Sequence, residues 1–105
     1  RLLLKMSIKL VILETGEQLV ADVKELFKGD SIQGYILHKP FAVSASRPMF
    51  IEEGEDEDKT SVEITMSSWI LLSKDEEVLL PPRSVLTVVN PVDDVVKLYE
   101  ERKNG

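Results

Sequence analysis

The stretch from Ile8 to Phe27, IKLVILETGEQLVADVKELF, decides the fold. Ile8, Lys9, Leu10, Val11, Ile12 and Leu13 form a run rich in β-branched residues, and Glu14-Thr15-Gly16-Glu17 closes it. Such a run ending at a glycine reads as a strand and a tight turn. Beyond the turn, Leu19, Ala21 and Val23 alternate with Val20, Asp22 and Lys24. A helix over residues 20–28 competes, because Ala, Lys, Glu and Leu all favour helices. The period of two decides for a strand, so residues 8–27 read as a β-hairpin.

Outward from the hairpin, Lys28-Gly29-Asp30-Ser31 makes a second turn, and Ile32 to Ser46 reads as a long strand. Tyr35, Leu37, Phe41 and Val43 are its inward candidates, and Pro40 predicts a bulge or an edge position, since it cannot donate to a ladder. Val62, Ile64 and Met66 alternate with Glu63, Thr65 and Ser67, and the run continues through Trp69 to Leu72. Lys74-Asp75-Glu76-Glu77 reads as a polar turn. Val78-Leu79-Leu80 stops at Pro81-Pro82, and Ser84 to Val89 reads as the last strand. The period then changes. Asn90 suits a helix N-cap and Pro91 a first helical residue. Asp93 and Asp94 at the start, with Arg102 and Lys103 at the end, suit the helix dipole. Val92, Val95, Val96 and Tyr99 make one apolar stripe, which needs a surface to cover.

The chain has 105 residues, 43% of them hydrophobic, and no cysteine. That is enough for one domain, which at this size buries about two thirds of its unfolded surface. Without cysteine there is no disulfide framework, no thiolate nucleophile and no Cys-based zinc or iron–sulfur site. A fold that stands on packing alone suits a reducing compartment, so a cytoplasmic location is expected. The net charge is −6, and Glu52, Glu53, Glu55, Asp56, Glu57 and Asp58 account for all of it. An acidic chain lacks the phosphate attraction behind most non-specific nucleic-acid affinity, so DNA is not an expected partner. Residues 1–6, RLLLKM, read as a leader before a natural start at Met6, with no secretory pattern and no membrane span. The domain is expected over residues 7–90, with a solvated acidic loop at 52–59 and a helix and tail at 91–105.

The hairpin residues Ile8, Leu10, Ile12, Thr15-Gly16-Glu17, Leu19, Ala21, Val23 and Leu26 resemble the first sequence block of Sm-like (LSm) proteins. Val78 to Val89, a strand, a very short turn and a closing strand, resemble the second block. The acidic insert falls where that family carries a variable loop, and the overall look is similar to Sm-like open reading frames of tailed marine phages. The resemblance implies an all-β fold, a small, strongly bent, five-stranded antiparallel Sm-like barrel, here with a C-terminal α-helix. It also implies a cyclic homo-oligomer of five to seven copies, in which the last strand of one copy pairs with the strand before the short turn of the next. The family's RNA site is not matched. Phe27 and Ser31 stand at its Asp and Asn offsets, and Pro81-Pro82 stand where Arg-Gly is usual.

Chemistry is sparse. His38 is the lone histidine, so neither a zinc site nor a Ser–His–Asp set is assembled. Gly29 and Gly34 have phosphate-loop spacing, but Tyr35 and Ile36 replace the required Lys and Ser/Thr. The acidic run lacks calcium-loop spacing. No cofactor, metal or catalytic residue is therefore expected, and the chain reads as a non-enzymatic binding or scaffold module. Leu79, Leu80, Val85, Leu86 and Val88 are the candidate oligomer-interface residues. An RNA-binding role is the alternative, disfavoured unless Arg47, Arg83 and Lys39 converge on one face.

Overall fold

A computed structural model describes residues 6–46 and 62–105; the expectations for residues 1–5, for Arg47 and for the acidic loop fall outside these. Strands β1 (Ser7–Leu13) and β2 (Gln18–Lys28) form the hairpin, with Ile8 opposite Asp22 and Ile12 opposite Gln18. The turn closes where the Gly16 N–H donates to the Leu13 carbonyl at 2.9 Å, and Gly16 has φ +93°, a conformation that favours glycine. The competing helix over residues 20–28 does not form. Leu19, Val20 and Ala21 are all fully buried, because both faces of β2 are covered.

Strand β3 (Ser31–Ser46) pairs with β2 along one side. Along its other side run two short strands end to end, β4 (Glu63–Ser68) against Phe41–Ser46 and β5 (Glu77–Leu80) against Tyr35–His38. The break between them falls at Lys39-Pro40, where Pro40 supplies no N–H and Lys39 sits in the left-handed region with φ 49°. On the β2 side the register jumps from Val20–Phe41 to Asp22–His38, so Ala21 opposes two residues. This is the bulge expected at Pro40, and it reverses the alternation of β3. Tyr35 and Leu37 face one apolar cluster, whereas Phe41 and Val43 face the other. The expectation that all four point the same way is corrected by that extra residue.

Strand β6 (Val85–Val89) pairs antiparallel with β1, giving the order β4-β3-β2-β1-β6 with β5 also on β3. A 3-10 turn, Pro82–Ser84, joins β5 to β6, and both the N–H and the hydroxyl of Ser84 donate to the Pro81 carbonyl. The fold is thus mainly antiparallel β with one C-terminal helix. It has six strands rather than five, and among the described residues no ladder joins β6 to β4 or β5, so the sheet is open. The resemblance implies five; β4 and β5 are two separate strands on β3, and the run through Trp69 to Leu72 does not continue β4. The chain leaves the sheet after Ser68 and returns as β5.

Two cores result. Val11, Leu13, Leu19, Ala21, Val23, Leu37 and Leu80 fill one face, joined by Val78 from one end of the sheet and by Val85 and Val88 from the other. The opposite face buries Val20, Val43 and Met66 beneath helix α1 (Asp93–Asn104), which contributes Val95 and Tyr99. The helix starts later than expected. Val92 stands at its N-cap and is exposed, and the Asn90 side chain accepts from Lys9 Nζ instead of capping. The covering stripe is therefore Val95, Leu98 and Tyr99 rather than one beginning at Val92.

Candidate functional site

Each end of the sheet leaves a strand with one neighbour only. β6 bonds to β1, and β4 and β5 both bond to β3, and none of the three has a second partner among the described residues. Unpaired N–H and C=O groups along such edges are templates for another chain, and natural sheets blunt them with charge or proline. Val85-Leu86-Thr87-Val88-Val89 carries neither. Gly34 positions the β5 edge. A Cβ there would stand 3.1 Å from the Leu80 carbonyl oxygen, so a larger residue would make β5 give way by a few tenths of an ångström.

The candidate interface residues divide by burial. Leu79 and Leu86 are each 63% exposed and flank the open edges of β5 and β6. Leu80 belongs to the inner core, and Val85 and Val88 pack against that core while remaining half-buried. The side chains of these three turn to the core rather than to the surface.

Of the cationic candidates, Arg47 lies outside the described residues, and Lys39 and Arg83 stand apart. Arg83 lies exposed in the 3-10 turn beyond Leu80, whereas Lys39 lies at the opposite end of β5, its N–H bonded to the Glu76 carbonyl. A four-residue strand separates them by roughly 13 Å. Lys39 Nζ is already spent on the Lys103 carbonyl at 3.1 Å. That contact lines a cleft of about 280 Å³ shared with Phe41, Ile70, Asp75 and Arg102. Two of its other cations are held as well, and Lys74 also lines it. Arg102 Nη1 donates to the Met66 carbonyl at 2.9 Å, and Lys103 Nζ pairs with Asp22 Oδ2 at 2.7 Å. No group of three His, Asp or Glu side chains able to hold a metal occurs among the described residues. His38 Nδ1 lies 4.0 Å from Glu77 Oε2 and has no hydrogen-bond partner.

Two features escape a reading by periodicity. The Tyr99 hydroxyl donates to the His38 carbonyl at 2.7 Å and accepts from the Asp22 N–H at 3.1 Å, standing between two residues opposite each other across the bulge. Leu71 is 78% exposed and Leu72 fully so. Three apolar residues in a row without alternation, Ile70-Leu71-Leu72 before Lys74-Asp75-Glu76-Glu77, are the signal that these do not extend a half-buried strand.

The chain belongs to a family of unknown function, DUF6561, whose model matches residues 6–104. No curated protein matches it. Among the described residues no helix is long and apolar enough to cross a membrane.

Proposed function

We propose that this member of the DUF6561 family is a non-enzymatic, self-assembling binding or scaffold module on an Sm-like sheet, in which the free edge of β6 pairs with the free edge of β5 in a second copy. The observation that carries this reading is that, of the three unpaired edges β4, β5 and β6, the two joined by the 3-10 turn, β5 and β6, each carry an exposed leucine, and the β6 edge is uncharged. The Sm-like assignment is supported by the order β6-β1-β2-β3, by the 3-10 turn between β5 and β6, and by side chains from both strands meeting on one core. A head-to-tail contact closes only when its rotation divides evenly, so the assembly is a ring, five to seven copies by the resemblance.

RNA is the weaker reading, since Lys39 and Arg83 lie at opposite ends of β5. The test is the absolute mass in solution by light scattering at tens of micromolar. A multiple of 11.9 kDa is expected for the wild type, and Leu86→Lys, which puts a charge on the open edge, is expected to give folded monomer. A wild-type mass near 11.9 kDa ends the reading.

A further inference from the structure

Trp69 to Glu76 leaves the sheet and returns to it at one point. The Trp69 N–H donates to the Pro40 carbonyl at 3.1 Å, and the Glu76 carbonyl accepts from the Lys39 N–H. Trp69 Nε1 also donates to Glu17 Oε2 at 3.2 Å, fixing the base of the loop. The tip is closed by the Ser73 N–H on the Ile70 carbonyl and by the Asp75 N–H on Ser73 Oγ. A loop so tied holds its outer side chains in place, and these are Leu71 and Leu72, both in water. Lys74, Asp75 and Glu76 follow them in the loop, all exposed. Exposed apolar side chains with polar neighbours are the composition of an interaction surface.

The occupant follows from the position of this tip beside β5. The loop ends at Glu76 and β5 begins at Glu77, so a strand added along β5 runs on towards Leu71 and Leu72. Every ladder in this sheet is antiparallel, and antiparallel pairs are the commoner kind. An incoming β6 laid antiparallel on β5 starts with Val85 near Leu80 and ends with Val89 near Glu77. Its next residues, Asn90 to Val92, then reach the loop. Val89 and Val92 are exposed, Val92 by 66%, although each is a large apolar residue. Asp93 and Asp94 follow directly and meet Lys74.

We propose that Leu71 and Leu72 are an anchor for a second copy of this chain, seated against its Val89 and Val92, with Lys74 facing Asp93 and Asp94. The proposal rests on the edge-pairing reading above and adds the side-chain contact that sets its orientation. It also assigns the leucines a role that a solvated turn would not require.

The test is sedimentation equilibrium and light scattering of the full chain across a concentration series. Four proteins are compared: wild type, Leu71→Ser with Leu72→Ser, Val92→Ser, and the triple variant. All substituted positions are exposed, so thermal melting at a dilution where the wild type is monomeric is expected to be unchanged. The leucine pair is expected to raise the dissociation constant at least tenfold and Val92→Ser several-fold. The triple variant is expected to match the leucine pair within about twofold, because the contact is already lost. A wild type that assembles while the leucine variant stays within twofold of it overturns the anchor and leaves edge pairing standing. Effects of the two changes that simply multiply overturn the Val92 contact. A wild type that stays monomeric overturns both readings.

Discussion

Tyr99 serves the backbone more than the core. At the bulge, Asp22 and His38 stand opposite each other, and the Tyr99 hydroxyl bridges the N–H of one to the carbonyl of the other. Tyr99→Phe keeps the ring and its edge-on contact with Phe41, but strands both backbone groups. Leaving buried polar groups unsatisfied costs about 1–3 kcal/mol, so a lower melting temperature is expected for this variant. The same hydroxyl gives a pH dependence. Burial, with the Asp22 carboxylate nearby, pushes its pKa up to about 12 against the partial relief of the Asp22 N–H. The unfolded chain releases this proton near its ordinary value of about 10. The stabilising contribution is therefore complete below pH 10, falls as pH rises to 12 and is gone above, roughly 2–3 kcal/mol in all. Denaturation series at pH 9 to 12 check this, since the loss should be steeper in the wild type than in Tyr99→Phe. Equal slopes would place the hydroxyl in water.

At the scale of the element, Lys39-Pro40 organises the most structure. It splits the partner side of β3 between β4 and β5, reverses which face β3 presents, and ties down both ends of the apolar loop. Proline alone would interrupt the ladder; the left-handed φ of Lys39 supplies the bend. A β-branched residue tolerates that conformation poorly, so Lys39→Val is expected to cost roughly 1–3 kcal/mol. Lys39→Gly is expected to be better tolerated, although it also loses the bond from Nζ to the Lys103 carbonyl. Chemical denaturation of the two variants side by side checks the ordering, and a glycine variant less stable than the valine one would refute the strain argument. The bulge was legible in Pro40. Its consequence for parity was not, because the number of residues opposing Ala21 is set by the register with β2, and Ala21 lies 19 residues before Pro40.

The whole molecule carries six net negative charges, so copies repel one another at long range. If assembly is driven by backbone pairing at the edges and by Leu71, Leu72, Val89 and Val92, salt screens that repulsion without weakening the drive. Raising sodium chloride from about 0.05 to 0.5 M, which shortens the screening length from over 10 Å to under 5 Å, is expected to tighten the assembly. Sedimentation at both salt levels checks this, and weaker association at high salt would make the Lys74 ion pairs dominant over the apolar contact. The open edges also account for the paired cores. Among the described residues, a sheet buried on one face by its own curl and on the other by α1 leaves its edges, and the loop that carries Leu71 and Leu72, to offer a neighbour.

By itself the sequence determined where most strands and turns fall and that a helix follows the last strand, though not where β4 ends or the helix starts. The former rest on local chemistry. The run from Ile8 to Leu13, Gly16 at the turn, the alternation around Met66 and the acidic first turn at Asp93 and Asp94 all act within a few residues. The Sm-like resemblance pointed to β5 and β6 as edges, and the uncharged run to Val89 showed that the second is not blunted. Only the tertiary structure decided which residues share a core, that Leu80 is buried while Leu79 is exposed, and that Tyr99 completes a broken rung. It alone showed that Leu71 and Leu72 stand in water on a loop tied at both ends. These depend on which strand lies across from which. That choice is made by long-range burial and register, and a period read along one strand carries no information about the strand beside it.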